Sequence, residues 1–163
     1  MTRQEYHSAV KEFSPRLYRY VVKCLRNTDD ARDIVQDSFA KLWENRKLVE
    51  WEKSKAWLFT TAHNALINHL KKQGRTSFFE EGKLDRMQMV NDTRRFEIKE
   101  TVDQLVNTLP PIQRSILLLR DLEGYDYREI GTILDLTESQ VKVYLFRARQ
   151  KMKEKLKDLT ILA

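Results

Sequence analysis

The chain has 163 residues, 41% of them apolar and 33% charged, which excludes a disordered tail and leaves room for one ordinary domain or two small ones. A formal net charge of +6 favours a polyanionic partner, nucleic acid first. The single cysteine, Cys24, excludes an internal disulfide and a thiolate zinc cluster. The amino terminus is polar and no stretch approaches the roughly 20 apolar residues that span a membrane, so the chain is expected to be soluble and cytoplasmic.

Only four glycines and three prolines occur, and apolar residues recur mainly at helical spacing, so the whole chain reads as all-α. Thr2 and Glu5 have capping-box spacing, and Ser14 before Pro15 offers a second N-cap. Two short helices are therefore expected, Arg3 to Phe13 and Pro15 to Arg26. "NTDD" breaks the chain, and Ala31, Ile34, Val35, Phe39, Leu42 and Trp43 then form an apolar stripe on a helix ending near Arg46. The next helix runs from about Lys53 to Lys72 and stops at Gly74. Gly74 to Arg94 shows no clear period and reads as a linker. Helical period returns with Phe96, Val102, Leu105, Val106 and Leu109, is stopped by Pro110 and Pro111, and resumes through Ile112, Ile116, Leu117 and Leu119. Two small helical domains follow, residues 1–74 and 94–163, joined by residues 75–93.

Gly124 can end a helix in the left-handed conformation, and Asp126 with Glu129 caps the start of "YREIGTIL". Thr137 and Gln140 form another capping box, so a second helix begins at Glu138 after a three-residue turn. Two helices so closely joined match a helix-turn-helix. At about 100° per residue, Val141, Leu145, Ala148 and Met152 share the packed stripe of the second helix. Ser139, Val143, Phe146 and Gln150 then point outward, flanked by Lys142 and Arg147. In a major groove such a face meets thymine methyls as well as hydrogen-bonding edges. The cations from Lys142 to Lys157 are opposed only by Glu138 and Glu154 on that stretch of helix, which suits phosphate contact.

In the amino half, "DDARDIVQDSFAKLWENR" places Asp33, Gln36 and Asp37 on one helix, an acidic and amide-bearing face that suits a basic protein better than DNA. "KAWLFTTAHNALINHLKKQGR" combines Trp57, Phe59 and His63 with Asn64, Asn68, Lys71, Lys72 and Arg75. Aromatics beside amides and cations suit unstacked bases, although Trp57 and Leu58 read more simply as core.

In this order the three segments resemble the extracytoplasmic-function class of bacterial sigma factors, over nearly the whole chain. "DARDIVQDSFAKLWE" resembles the helix that grips the clamp helices of the polymerase beta-prime subunit. The resemblance implies that Asp33, Gln36 and Asp37 bind core RNA polymerase. "AWLFTTAHNALINHLKKQGR" resembles the segment that melts and reads the minus-10 element. Asn64, Ala65, Leu66, Ile67 and Asn68 would form the loop that captures a flipped base there, and Lys71, Lys72 and Arg75 would hold phosphates. The stretch from Leu109 to Met152 resembles the domain that reads the minus-35 element and docks on the beta flap. Thr137, Ser139, Gln140, Lys142, Val143, Phe146, Arg147 and Arg149 would enter the major groove. Residues 75–93 would thread toward the polymerase cleft.

The chain departs from the family pattern in three places: Val143 and Tyr144 replace a common serine-arginine pair, Thr60 replaces a common basic residue, and Tyr125 and Asp126 follow Gly124 where leucine and serine are common. The resemblance further implies promoter DNA and an anti-sigma factor, often membrane-anchored, as partners, with no cofactor, no metal and no catalytic residues. Two rivals compete with it. A free-standing helix-turn-helix regulator explains only the carboxyl half. A nucleic-acid enzyme would need His7, His63 or His69 as general base, with no partner evident by spacing.

Overall fold

The computed structural model describes residues 1–74 and 97–162, so the expected linker, residues 75–93, and Arg75 lie outside the described residues. The described residues form seven α-helices and one π-helical turn, with no strand among them. The amino half comprises α1 (Arg3–Leu25), α2 (Thr28–Asn45) and α3 (Trp51–Lys72). The carboxyl half comprises α4 (Glu97–Asn107), α5 (Pro111–Leu117), the π turn (Leu118–Leu122), α6 (Tyr127–Leu134) and α7 (Glu138–Leu162).

Helix α1 corrects the expected break at Ser14. It begins with the Thr2–Glu5 capping box and runs straight through Pro15. An interior proline costs about 3 kcal/mol. Ala9, Phe13, Leu17, Tyr20, Val21 and Cys24 are all buried along one stripe, and each large side chain returns about 1.5–3 kcal/mol only if the helix continues. Packing therefore outweighs the local signal. Asn27 caps α2 by accepting from the N–H groups of Asp29 and Asp30, both at 3.1 Å. Pro111 opens α5 at its first turn, where its missing N–H is not needed.

The buried side chains form one cluster that runs through both halves. The two halves are packed on each other, and much of the contact is polar. Both oxygens of the Glu123 carboxylate are taken: Arg16 Nε donates at 3.2 Å to one, and Arg19 Nη2 at 3.0 Å to the other. Lys23 Nζ lies 2.8 Å from Asp103. Asn107 Nδ2 donates to the carbonyl of Lys23 and Arg114 Nη1 to that of Cys24, at 3.0 and 2.6 Å. These are carbonyls of the last turn of α1, which lack partners within their own helix, so the carboxyl half caps the amino half. Phe59 and Tyr125 meet edge to face at 5.2 Å, with Lys55 Nζ 4.4 Å above the Tyr125 ring.

Candidate nucleic-acid interface

Two surfaces carry the residues that the sequence singled out. On the amino half, α2 and α3 flank a polar cleft of about 460 Å³ lined by Asp30, Asp33, Asp37, Asn64, Asn68 and Lys72. Asp33, Gln36 and Asp37 are exposed on α2. The expected capture loop is instead a turn of α3, on which Asn64 and Asn68 are exposed as well, and Lys71 and Lys72 stand at the helix's carboxyl end. The acidic residues and the amides thus border the same opening. His69 Nε2 lies 3.1 Å from Asp30 and ties the two helices together at the rim.

Other residues of that segment point inward. Ala65 and Ile67 are half-buried, and Leu66 is 1% exposed, so Leu66 holds Asn64 and Asn68 in place from beneath. Of the aromatic set expected from Trp57, Phe59 and His63, Phe59 and His63 are buried and only Trp57 is half-exposed. Phe59 packs between Tyr20 and Tyr125. The His63 Nδ1 is 3.1 Å from the Tyr20 hydroxyl, and desolvation pushes its imidazole down to about 4. Sequence periodicity alone could not reveal this, since α6 and its preceding loop cover that face from the carboxyl half. His63, one of the three histidines on which the enzyme rival would depend, thus lies in the core.

On the carboxyl half the helix-turn-helix forms as expected. Asp126 and Glu129 cap α6 reciprocally at 2.8 and 3.0 Å, and Thr137 and Gln140 cap α7 at 3.1 and 2.9 Å. Asp135 turns the chain in the left-handed region, with φ 56°. Val141, Leu145, Ala148 and Met152 are buried, whereas Val143 is 46% and Phe146 67% exposed. Thr137, Ser139, Gln140, Lys142 and Arg147 share the open side. Lys142 and Arg147 lie 5.7 and 5.9 Å from the rings of Tyr127 and Tyr144, contacts that orient the cations without neutralising them. Arg149 is placed differently. Its Nη2 donates at 2.6 Å to Asp121 on the π turn, and this hydrogen bond raises its pKa.

That ion pair borders a feature the sequence did not disclose, an apolar groove of about 740 Å³ lined by Val102, Val106, Leu118, Leu122, Met152 and Leu156. The spacing of Val102 and Val106 announced an apolar face, but only packing shows that the face stays partly open. Among the described residues, no group of three or more His, Cys, Asp or Glu side chains is placed to hold a metal ion. Nor is any described helix long and apolar enough to cross a membrane. Cys24 is buried and its thiol is pushed up to about 11 by desolvation, which leaves it unreactive.

Comparison with known proteins agrees with this layout. Residues 9–76 match the family Sigma-70 region 2, and residues 99–152 match Sigma-70, region 4. The ECF RNA polymerase sigma factor SigM of Bacillus subtilis is 29% identical over 140 residues, covering 84% of this chain and 86% of its own. An ECF RNA polymerase sigma-E factor of Salmonella typhimurium is 30% identical over 148 residues, covering 80% of this chain and 75% of its own. Among solved structures, the sigma factor RpoE in complex with the anti-sigma factor NepR, from Bartonella quintana, superposes with a TM-score of 0.74. It is 21% identical and covers 94% of this chain and 98% of its own. A free-standing regulator would leave the match over residues 9–76 without a role. The two surfaces, their order along the chain and these matches lead to one conclusion: the chain belongs to the extracytoplasmic-function group of the sigma-70 family.

Proposed function

We propose that the chain is a dissociable initiation subunit whose domains, residues 1–74 and 94–163, bind core RNA polymerase and read a promoter at two places. The observation that carries this reading is the division of α7 into a buried stripe and an outward row of Ser139, Lys142, Val143, Phe146 and Arg147. Lys142 and Arg147 neutralise phosphates and set the register, while Val143 and Phe146 meet thymine methyls of the minus-35 element. On α2, Asp33, Gln36 and Asp37 dock on the beta-prime clamp, and the apolar groove beside α7 receives the beta flap.

Asn64 and Asn68 hydrogen-bond an extruded minus-10 base, and Lys71 and Lys72 hold the adjacent backbone. Capture of that base offsets the few kcal/mol needed to unstack it, so melting and reading become one event. The chain supplies binding free energy and orientation, with no catalytic residue of its own, and works in the cytoplasm. An anti-sigma factor is the expected antagonist, in keeping with the likeness to a sigma factor solved with one.

In vitro transcription with core polymerase and genomic DNA, followed by start-site mapping, tests the reading. Failure to co-purify with core polymerase, in the absence of an antagonist, refutes it. Asn64→Ala with Asn68→Ala is expected to spare polymerase binding and to abolish permanganate reactivity at the minus-10 element.

A further inference from the structure

We infer that Tyr127 is a positioning residue for promoter recognition: its ring holds the Lys142 side chain at the open face of the helix-turn-helix, so that α7 meets its duplex with one phosphate-binding cation already in place. The partner in this role comes from the promoter reading above, the contact from geometry. Lys142 Nζ lies 5.7 Å from the centroid of the Tyr127 ring, inside the roughly 6 Å over which a ring attracts a cation. Tyr127 is the first residue of α6, and Lys142 stands near the start of α7, so the contact joins the two helices of the motif.

The ring itself is fixed. Tyr127 is half-buried and packs on the core, and the reciprocal cap between Asp126 and Glu129 sets the backbone on which it stands. A second cation lies closer to the same ring, the Arg120 guanidinium at 4.9 Å from its centroid. Arg120 Nη1 also donates to the Tyr125 carbonyl at 2.9 Å, which ties that guanidinium to the loop before α6. One aromatic ring therefore links the π turn, α6 and α7.

The neighbouring cation contact does something else. Arg147 and Tyr144 are three residues apart on α7, so their contact at 5.9 Å travels with that helix and leaves α6 out. Lys142 is instead registered against the helix that, in a helix-turn-helix, crosses the phosphate backbone while the second enters the groove. Its side chain is exposed. A lysine free in water loses most of its rotamer freedom when a phosphate captures it, whereas one already drawn to a ring has less to lose.

Two measurements on the full chain test this role. In the free protein, the ring current of Tyr127 should move the Lys142 ε-methylene resonance upfield; Tyr127→Phe should keep that displacement and Tyr127→Leu remove it, at unchanged helix content. An undisplaced resonance in the parent overturns the role. With the chain assembled on core polymerase, fluorescence anisotropy of a duplex carrying the minus-35 element of a mapped promoter, taken over a series of salt concentrations, reads the consequence. Tyr127→Leu should weaken binding about two- to fivefold, as expected of one exposed cation–π contact, while Tyr127→Phe binds like the parent. Lys142→Met should lower the salt slope by about one unit, and adding Tyr127→Leu to it should cost nothing further.

A loss in Tyr127→Phe as large as that in Tyr127→Leu would mean that the hydroxyl meets a phosphate directly, and it overturns the positioning role. So does a fully additive loss in the double variant, which marks Tyr127 as a packing residue alone. A parent that shows the displaced resonance yet binds no duplex supports the hold on Lys142 and counts against the promoter reading instead.

Discussion

Gly131→Ala tests whether the helix-turn-helix is packed as tightly as it is drawn. Gly131 is buried in α6, and a β-carbon added there would lie 2.6 Å from the carbonyl oxygen of Leu136, in the turn that leads to α7. An ordinary carbon–oxygen contact is about 3.3 Å, so the turn must retreat by roughly 0.7 Å. The Leu136 N–H donates to the Gly131 carbonyl at 2.9 Å, and such a retreat stretches that bond past its useful range. Loss of the bond costs about 1 kcal/mol and overpacking about 1–3 kcal/mol, against a gain of about 1 kcal/mol from alanine in a helix. The net loss is about 1–3 kcal/mol, or a Tm lower by roughly 2–12 °C for a chain of this size.

Thermal unfolding by circular dichroism reads the stability, and fluorescence anisotropy of a minus-35 duplex reads the displaced α7. Gly124→Ala is the control: its φ of 75° penalises alanine by about 1–2 kcal/mol, yet open space surrounds it and no turn must move. A Gly131→Ala chain as stable as the parent, with unchanged duplex affinity, would refute the close approach of Leu136.

Three further outcomes follow from the same geometry. The His63 imidazole, held near 4, stays neutral in the folded chain while the unfolded chain protonates near 6.5. The unfolded state therefore binds one more proton between those values, and stability falls as pH drops through that window, by about 2 kcal/mol from pH 7 to pH 5. Urea unfolding of the parent should show this slope, and His63→Gln should lose it. Asp33→Asn with Asp37→Asn, both at exposed positions, should change unfolding free energy by less than about 0.5 kcal/mol while weakening the complex with core polymerase about tenfold or more. Unaltered polymerase affinity by surface plasmon resonance would remove α2 from the docking surface. Asp121→Asn should release Arg149, whose pairing is half-exposed and worth less than about 1 kcal/mol. Duplex affinity should rise and its salt slope steepen by about one unit; an unchanged slope would mean that Arg149 already reaches a phosphate.

Most signals between residues close in sequence survived into the fold. Both capping boxes of the helix-turn-helix, the left-handed Gly124 and the stripe of Val141, Leu145 and Ala148 are short-range facts, and each was legible. Pro15 shows the limit of such signals. Its own chemistry argued for a helix start, but the stripe on either side of it needed one uninterrupted helix, and tertiary burial decided. Phe59 and His63 failed for a different reason. Helical period places them on a face of α3 but cannot say what covers that face, and the cover comes from Tyr125, over 60 residues away. The same holds for Glu123, whose partners Arg16 and Arg19 lie 107 and 104 residues distant. Pairings at that separation carry no periodicity, so they leave no trace in the sequence.

The closed packing also bears on the apolar residues at the centre of α7. Most large apolar side chains are buried: Phe59, Tyr20, Leu66 and Leu109 all end within 2% exposure and Tyr125 is buried at the contact between halves, although Leu48 on the amino half stays 84% exposed. Phe146 could have been covered by the same means, yet it stays 67% exposed, beside Val143 at 46%. Leaving a phenylalanine in water forgoes about 2 kcal/mol that burial would supply. Lys142 and Arg147 flank the pair, so a neutral protein surface would have to strip two cationic side chains of water to reach it. A duplex faces no such cost, because its phosphates pair with the cations while thymine methyls cover the rings and methyls between them. The exposed pair therefore suits a helix face that meets DNA, and the order of apolar centre and basic flanks is what a major groove, with methyls on its floor and phosphates on its rims, would select.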